Sequence, residues 1–175
     1  MKILQYILGI IAFLVIAFFL LGLIKQDVNY DCEIMVDKPL AEAWAVSQDE
    51  SKMSDWLDGF QKVEPISGTQ GTVGAVADVH FITDSKDMVI RETITDIKPN
   101  ESIAMMFTSD FMDMDYKLKM TAVDGKTKIS SSTTAEGNGM FSKSLMAIMS
   151  GSIKTQEETN LANLKRTIEN NTKEY

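Results

Sequence analysis

The chain of 175 residues offers few groups for covalent or metal chemistry, because it holds one histidine and one cysteine. His80 lies in "ADVHFIT", a stretch that reads as a strand. It lacks the strand–turn–helix context that presents a catalytic nucleophile, so its plainer role is that of a sheet residue. Cys32 cannot form an internal disulfide, and in "DCEIMV" it reads as a small buried hydrophobe. No His, Cys or carboxylate cluster has the spacing of metal ligands. "GTQGTVG" follows a strand and leads into another, so no helix N-terminus stands ready to hold a phosphate. No metal, cofactor or catalytic residue is therefore assigned. Two carboxylates qualify as acid–base candidates. Glu92 shares one side of its strand with Ile90 and Ile94, and Glu157 falls on the apolar side of a long helix. A buried carboxyl has a raised pKa and can exchange protons near neutrality. The plainer reading pairs Glu92 with a cross-strand cation and takes Glu157 to a rim or to solvent.

The elements that would position these groups begin with "ILQYILGIIAFLVIAFFLLGLI", residues 3–24, which contains no charge and one strongly polar residue, Gln5. As a helix it would be about 33 Å long, enough to cross a hydrocarbon core of about 30 Å. A cleaved signal has a shorter apolar stretch and a small-residue cleavage site, and a buried core helix is rarely apolar all round for this length. The expectation is an uncleaved single-pass anchor with a short linker, residues 1–27, followed by a domain over 28–175. Lys2 and Lys25 flank the span and nearly cancel in the orientation rule; the short tail carrying Lys2 places the domain outside the cytoplasm. Lys2, Lys25 and Asp27 are the charged residues before Val28, so the domain holds 15 of the 17 basic and 24 of the 25 acidic residues, a net charge of −9. Such a domain is not built for nucleic acid.

Tyr30–Val36 reads as a first strand after a polar link over 26–29. Pro39 opens a helix with Leu40, Ala43, Trp44 and Ser47 on one face, and Met53, Trp56, Leu57 and Phe60 mark a second helix ended near Gly59. The period then changes from 3.6 to 2. Strands are expected at 61–66, 75–83, 88–97, 102–109, 112–121 and 127–135. Among them Met112, Met114, Tyr116, Leu118 and Met120 alternate with polar residues, and "VDGK" carries an Asp-Gly hairpin signal. A helix over about 140–170 closes the chain. Its stripe is Phe141, Leu145, Met149, Ile153, Leu161, Leu164 and Ile168, with a polar gap at Gln156, Glu157 and Asn160 and a possible bend at Gly151. The fold class is α+β, with seven antiparallel strands curled around one long helix. Trp44 and Trp56 anchor the helix pair against the sheet.

"IMVDKPLAEAW", "MSDWLDGFQKVE", the "GTVG" connection, "IRETITDIKPNESIAMMF" and the closing helix, in this order over about residues 28–172, resemble the helix-grip superfamily. That group includes the steroidogenic-acute-regulatory-related lipid-transfer domains, the birch-pollen-allergen-like proteins, bacterial polyketide cyclases and the activators of the Hsp90 ATPase. The resemblance implies a deep apolar cavity between sheet and helix. Twelve methionines suit a wall that adapts to varied apolar ligands, though ordinary core filling explains them as simply. The expected function is binding of a hydrophobic small molecule or lipid without transforming it. Met105, Phe107, Met114, Tyr116, Met120, Glu157 and Asn160 are the candidate ligand-binding residues. The alternatives are a cyclase- or dehydratase-type enzyme using Glu92, Glu157 or His80, and a protein-interaction module similar to the Hsp90 activators.

Overall fold

A computed structural model describes residues 2–25, 27–83 and 86–175. The order is α1 (Lys2–Ile24), β1 (Asp27–Val36), α2 (Leu40–Gln48), α3 (Glu50–Trp56), β2 (Phe60–Ser67), β3 (Val76–Thr83), β4 (Lys86–Lys98), β5 (Ser102–Thr108), β6 (Met112–Val123), β7 (Lys126–Gly137) and α4 (Met140–Glu169). The seven strands form one antiparallel sheet in the order β1-β7-β6-β5-β4-β3-β2. The helix-grip arrangement is thus present, with α4 laid across one face of the sheet.

Alternation decides which side chains meet α4. Val28, Tyr30, Cys32, Ile34 and Val36 of β1 are the more buried set, as are Met112 to Met120 in steps of two on β6 and Thr127 to Gly137 in steps of two on β7. The hairpin between β6 and β7 turns in two residues, Asp124 at φ 50° and Gly125 at φ 81°. Both central residues of such a turn need positive φ, which the Asp-Gly pair accepts at low cost.

The main core fills the end of the groove where α2, α3 and the C-terminal half of α4 converge. Val36, Val46, Ile129, Leu164 and Ile168 are fully buried there, and Trp44 is nearly so. Each such aliphatic contributes about 1.5–3 kcal/mol by leaving water. Trp56 packs at the margin of this cluster. A second, smaller cluster of Val28, Ala135 and Met146 occupies the opposite end.

Four details differ from the sequence reading. β1 begins at Asp27, paired with Glu136, because Val28 is an inward core residue; most of the expected linker is strand, and Gln26 lies outside the described residues. α3 stops at Trp56. Leu57 is already extended and Gly59 turns with φ 75°, which delivers Phe60 into β2 against Phe81. α4 runs unbroken through Gly151. Its apolar stripe also changes side. Leu161, Leu164 and Ile168 are buried as expected, but Phe141 and Met149 are exposed while Ser144 and Met146 are buried. Steps of four residues drift by about 40° each around a helix of 3.6 residues per turn, so a strict i+4 run leaves the sheet.

α1 is long and apolar enough, by length and composition, to cross a membrane. Its last turns lie along the start of α4. The Phe18 and Phe141 rings are 5.7 Å apart, and the Lys25 ammonium donates to Ser150 Oγ at 2.9 Å. A Cβ on Gly22 would lie 2.5 Å from Ser144 Oγ and 2.7 Å from its amide nitrogen, so this crossing requires glycine.

Candidate functional site

The inner face between the two apolar clusters is polar. Thr133 on β7 is the direct cross-strand neighbour of Tyr30 on β1 and of Tyr116 on β6. Tyr116 stands opposite Met105 of β5, and its ring meets that of Phe107 edge to face at 6.2 Å. From α4, Glu157 reaches down and its Oε1 accepts a hydrogen bond from the Tyr116 hydroxyl at 3.0 Å. This bond between a phenol and a carboxylate joins sheet and helix across the interior, and bonds of this kind are stronger than average.

This environment fixes the protonation of the phenols. Burial first, then the Glu157 charge and the bond to it, hold Tyr116 well above the ordinary tyrosine value, with the Ser131 hydroxyl opposing. Burial raises Tyr30 too, offset in part by the neighbouring Thr133 hydroxyl. Cys32 is raised by burial and by Glu157, so its thiol stays protonated and inert. Both phenols are therefore hydrogen-bond donors at neutral pH. Ser131 and Thr133 hydroxyl oxygens are fully enclosed and, among the described residues, make no hydrogen bond; each approaches a tyrosine without meeting it in bonding geometry. An enclosed hydroxyl without a partner costs about 1–3 kcal/mol, so the layer has capacity for a polar group it does not itself contain.

Glu92 lies one row further along, on the inner face with Phe107 and Met114. It is half-buried, and burial alone raises its pKa. The cross-strand cation expected beside it is elsewhere: Arg91 is on the outer face in a two-pronged ion pair with Asp78.

Of the residues singled out from sequence, Tyr116, Glu157, Met105 and Phe107 come together. Met114 adjoins them but packs into the smaller cluster with Val28, Ala135 and Met146. Met120 is 2% exposed and belongs to the packed core opposite Ile129, remote from the polar layer. Asn160 is half-buried and accepts a hydrogen bond from the exposed Gln156 at 3.1 Å, so the polar gap of α4 reaches inward through Glu157. His80 is on the outer face, 3.4 Å from Glu64. Tyr30, Ser131 and Thr133 were missed. The signal for Ser131 and Thr133 was in "ISSSTTA", residues 129–135, where every second position of a strand with an inward Ile129 is small or hydroxylated. Such a row leaves space beneath a helix. Among the described residues no group of three or more His, Cys, Asp and Glu side chains is placed to share a metal ion.

An open depression of about 490 Å³ lies on the outer side of β1, β7 and β6, bordered by Asp31, Glu33, Lys117 and Lys119. It is bordered by charged side chains and faces solvent, on the side of the sheet away from α4.

Solved structures confirm the architecture. Ara h 8.0201 superposes with a TM-score of 0.68 at 19% identity, covering 83% of this chain and 99% of that one. The ZhuI aromatase/cyclase from Streptomyces sp. R1128 gives 0.68 at 14%, covering 82% and 94%. Protein CV1439 from Chromobacterium violaceum gives 0.65 at 15%, covering 82% and 99%. These identities establish the fold alone. No curated protein matches the chain. At the level of sequence, the stretch from Val28 to Glu169, which holds all seven strands, the helix pair and α4, matches the polyketide cyclase / dehydrase and lipid transport family, and the chain belongs to that family.

Proposed function

We propose that the chain binds a hydrophobic small molecule or lipid between the sheet and α4, at a bilayer to which α1 anchors it, and that it does so without transforming the ligand. One observation carries this reading: a layer of donors and of hydroxyls without a partner among the described residues, Tyr116, Ser131 and Thr133 with Glu157, set among Met105, Phe107 and Met114. Ligand sites are mostly apolar with a few convergent polar groups. The polar layer would orient a ligand's hydroxyl or carbonyl, and the methionine and phenylalanine side chains would cover its apolar body. An anchor keeps the site near the phase into which such ligands partition. Detergent-purified protein, extracted with organic solvent and examined by mass spectrometry, should yield a bound apolar species with a polar end, depleted in Tyr116→Phe/Glu157→Gln protein. Repeated recovery of no such species, from protein equilibrated with lipid extract, would refute the reading.

Glu92 supports a second reading, an enzyme of the cyclase or dehydratase type. Its carboxyl is half-buried, its pKa is raised by that burial, and it lies on the same inner face, which suits a general acid. Glu92→Gln separates the two: the same ligand recovered from both forms favours the carrier, whereas an untransformed substrate that accumulates in the Gln variant, with its altered product recovered only from wild type, favours the enzyme.

A further inference from the structure

We infer that the rim of the domain formed by Phe111, Met140 and Phe141 is itself a membrane contact, seated in an uncharged lipid surface beside α1; this rests on the anchoring role proposed for that helix. Three apolar side chains are exposed at one end of the domain, Phe141 at 60%, Met140 at 45% and Phe111 at 39%. Phe111 lies in the turn before β6 and its carbonyl accepts from the Asn138 amide at 2.9 Å, which brings that turn to the loop leading into α4.

The occupant follows from how α1 is held. Its contacts with α4 advance together, Phe18 with Phe141, Gly22 with Ser144 and Lys25 with Ser150. The two helices therefore run side by side in the same direction, and α1 projects past the start of α4 with its remaining apolar residues exposed. Phe18 precedes Lys25 by seven residues, about 10 Å of helix axis. A bilayer that takes in α1 with Lys25 at its polar boundary must then take in Phe141, which is level with Phe18. The interfacial layer on one side of a bilayer is about 5–8 Å thick, so Phe141 reaches the edge of the hydrocarbon. Asp110, Asp113, Glu136 and Lys143 border this rim, which leaves it mildly negative. An anionic surface would repel it, and a zwitterionic one is the better match. The smaller apolar cluster with Met114 lies behind the same rim.

The test uses the full chain on a Cys32→Ser background, reconstituted in phosphatidylcholine vesicles. Single nitroxide labels are placed by Leu14→Cys on α1, Phe111→Cys, Phe141→Cys, and Lys126→Cys at the far hairpin. Power saturation compares access of oxygen, which concentrates in lipid, with access of a water-soluble nickel chelate. Labels at 14 and 141 should favour oxygen, the label at 111 should be intermediate, and the label at 126 should favour the chelate. If 14 favours oxygen while 111 and 141 behave like 126, the rim contact is wrong and the anchor stands. If 14 also favours the chelate, both fail.

Discussion

The Tyr116 hydroxyl donates to Glu157 Oε1 at 3.0 Å, the bond that ties the middle of β6 to the middle of α4 across the interior. Because the partner is a carboxylate, Tyr116→Phe leaves Glu157 Oε1 without its hydrogen-bond donor inside the domain. Loss of about 1–3 kcal/mol is expected from the urea midpoint. In a double-mutant cycle with Glu157→Gln, the two changes should couple by about 0.5–3 kcal/mol. Additive effects would show that the pair does not act as a unit.

How much of this was legible in advance differs between fold and site. Alternation at Met112–Met120, the Asp-Gly turn and the Pro-led helix each have local causes, so they could be read without the fold. Glu157 could be placed on the inner side of α4 from helical spacing. Its partner could not, because nothing in the sequence registers residue 116 against residue 157, 41 positions apart. The rotated stripe of α4 failed for a related reason. Phe141 and Met149 look like core residues by type, but α1 draws the start of α4 into a second contact, in which Ser144 is the buried residue.

Glu92 should give a pH signature opposite to that of most carboxylates. Its folded pKa is raised by burial above the usual 4.5. Between the unfolded value and the raised folded one, the native state holds a proton that the unfolded state has lost. Stability attributable to Glu92 is therefore highest below about pH 4.5 and falls as pH rises through the folded pKa. Glu92→Gln removes this, so the variant should gain on the wild type as pH rises from 4 toward 8. Urea titrations across that range measure it, and a flat difference would mean that the carboxyl is solvated.

Asp49 acts in the reverse sense. It caps α3 by accepting from the Ser51 amide at 3.0 Å, and it holds the C-terminus through Lys173 at 2.6 Å and Tyr175 at 2.9 Å. The Lys173 bond, with those of Ser51 and Tyr175, keeps its carboxyl far below the usual 3.8, while burial and the Asp49 bond push Tyr175 up to about 12. The stabilisation is present above the unfolded value and lost as pH falls through the lowered one. Asp49→Ala should cost about 0.5–2 kcal/mol, mainly through the cap, and should expose residues 172–175 to carboxypeptidase. Wild-type resistance to trimming in the variant would show that the clamp does not form.

Gly22 controls how the domain sits on α1. Leucine there cannot fit beside Ser144, whose Oγ and backbone nitrogen are already within contact of a Cβ. Cysteines replacing Phe18 and Phe141, whose ring centres are 5.7 Å apart, should be joined readily by a short bifunctional thiol cross-linker, and Gly22→Leu should slow that reaction at least tenfold. Equal rates would mean that α1 swings freely.

Thr133 offers the sharpest separation of folding from binding. Its hydroxyl is enclosed between Tyr30 and Tyr116 and unpartnered among the described residues. Thr133→Val keeps the shape and removes a desolvated polar atom, so ligand-free protein should be unchanged or stabilised by about 1 kcal/mol. If the hydroxyl serves a ligand's polar end, the same variant should bind that ligand about five- to tenfold more weakly, since one neutral hydrogen bond is worth about 1 kcal/mol. Stability and retention of extracted ligand would then move in opposite directions. A variant that is destabilised, with retention unchanged, would assign Thr133 to the packing of the sheet and remove it from the site.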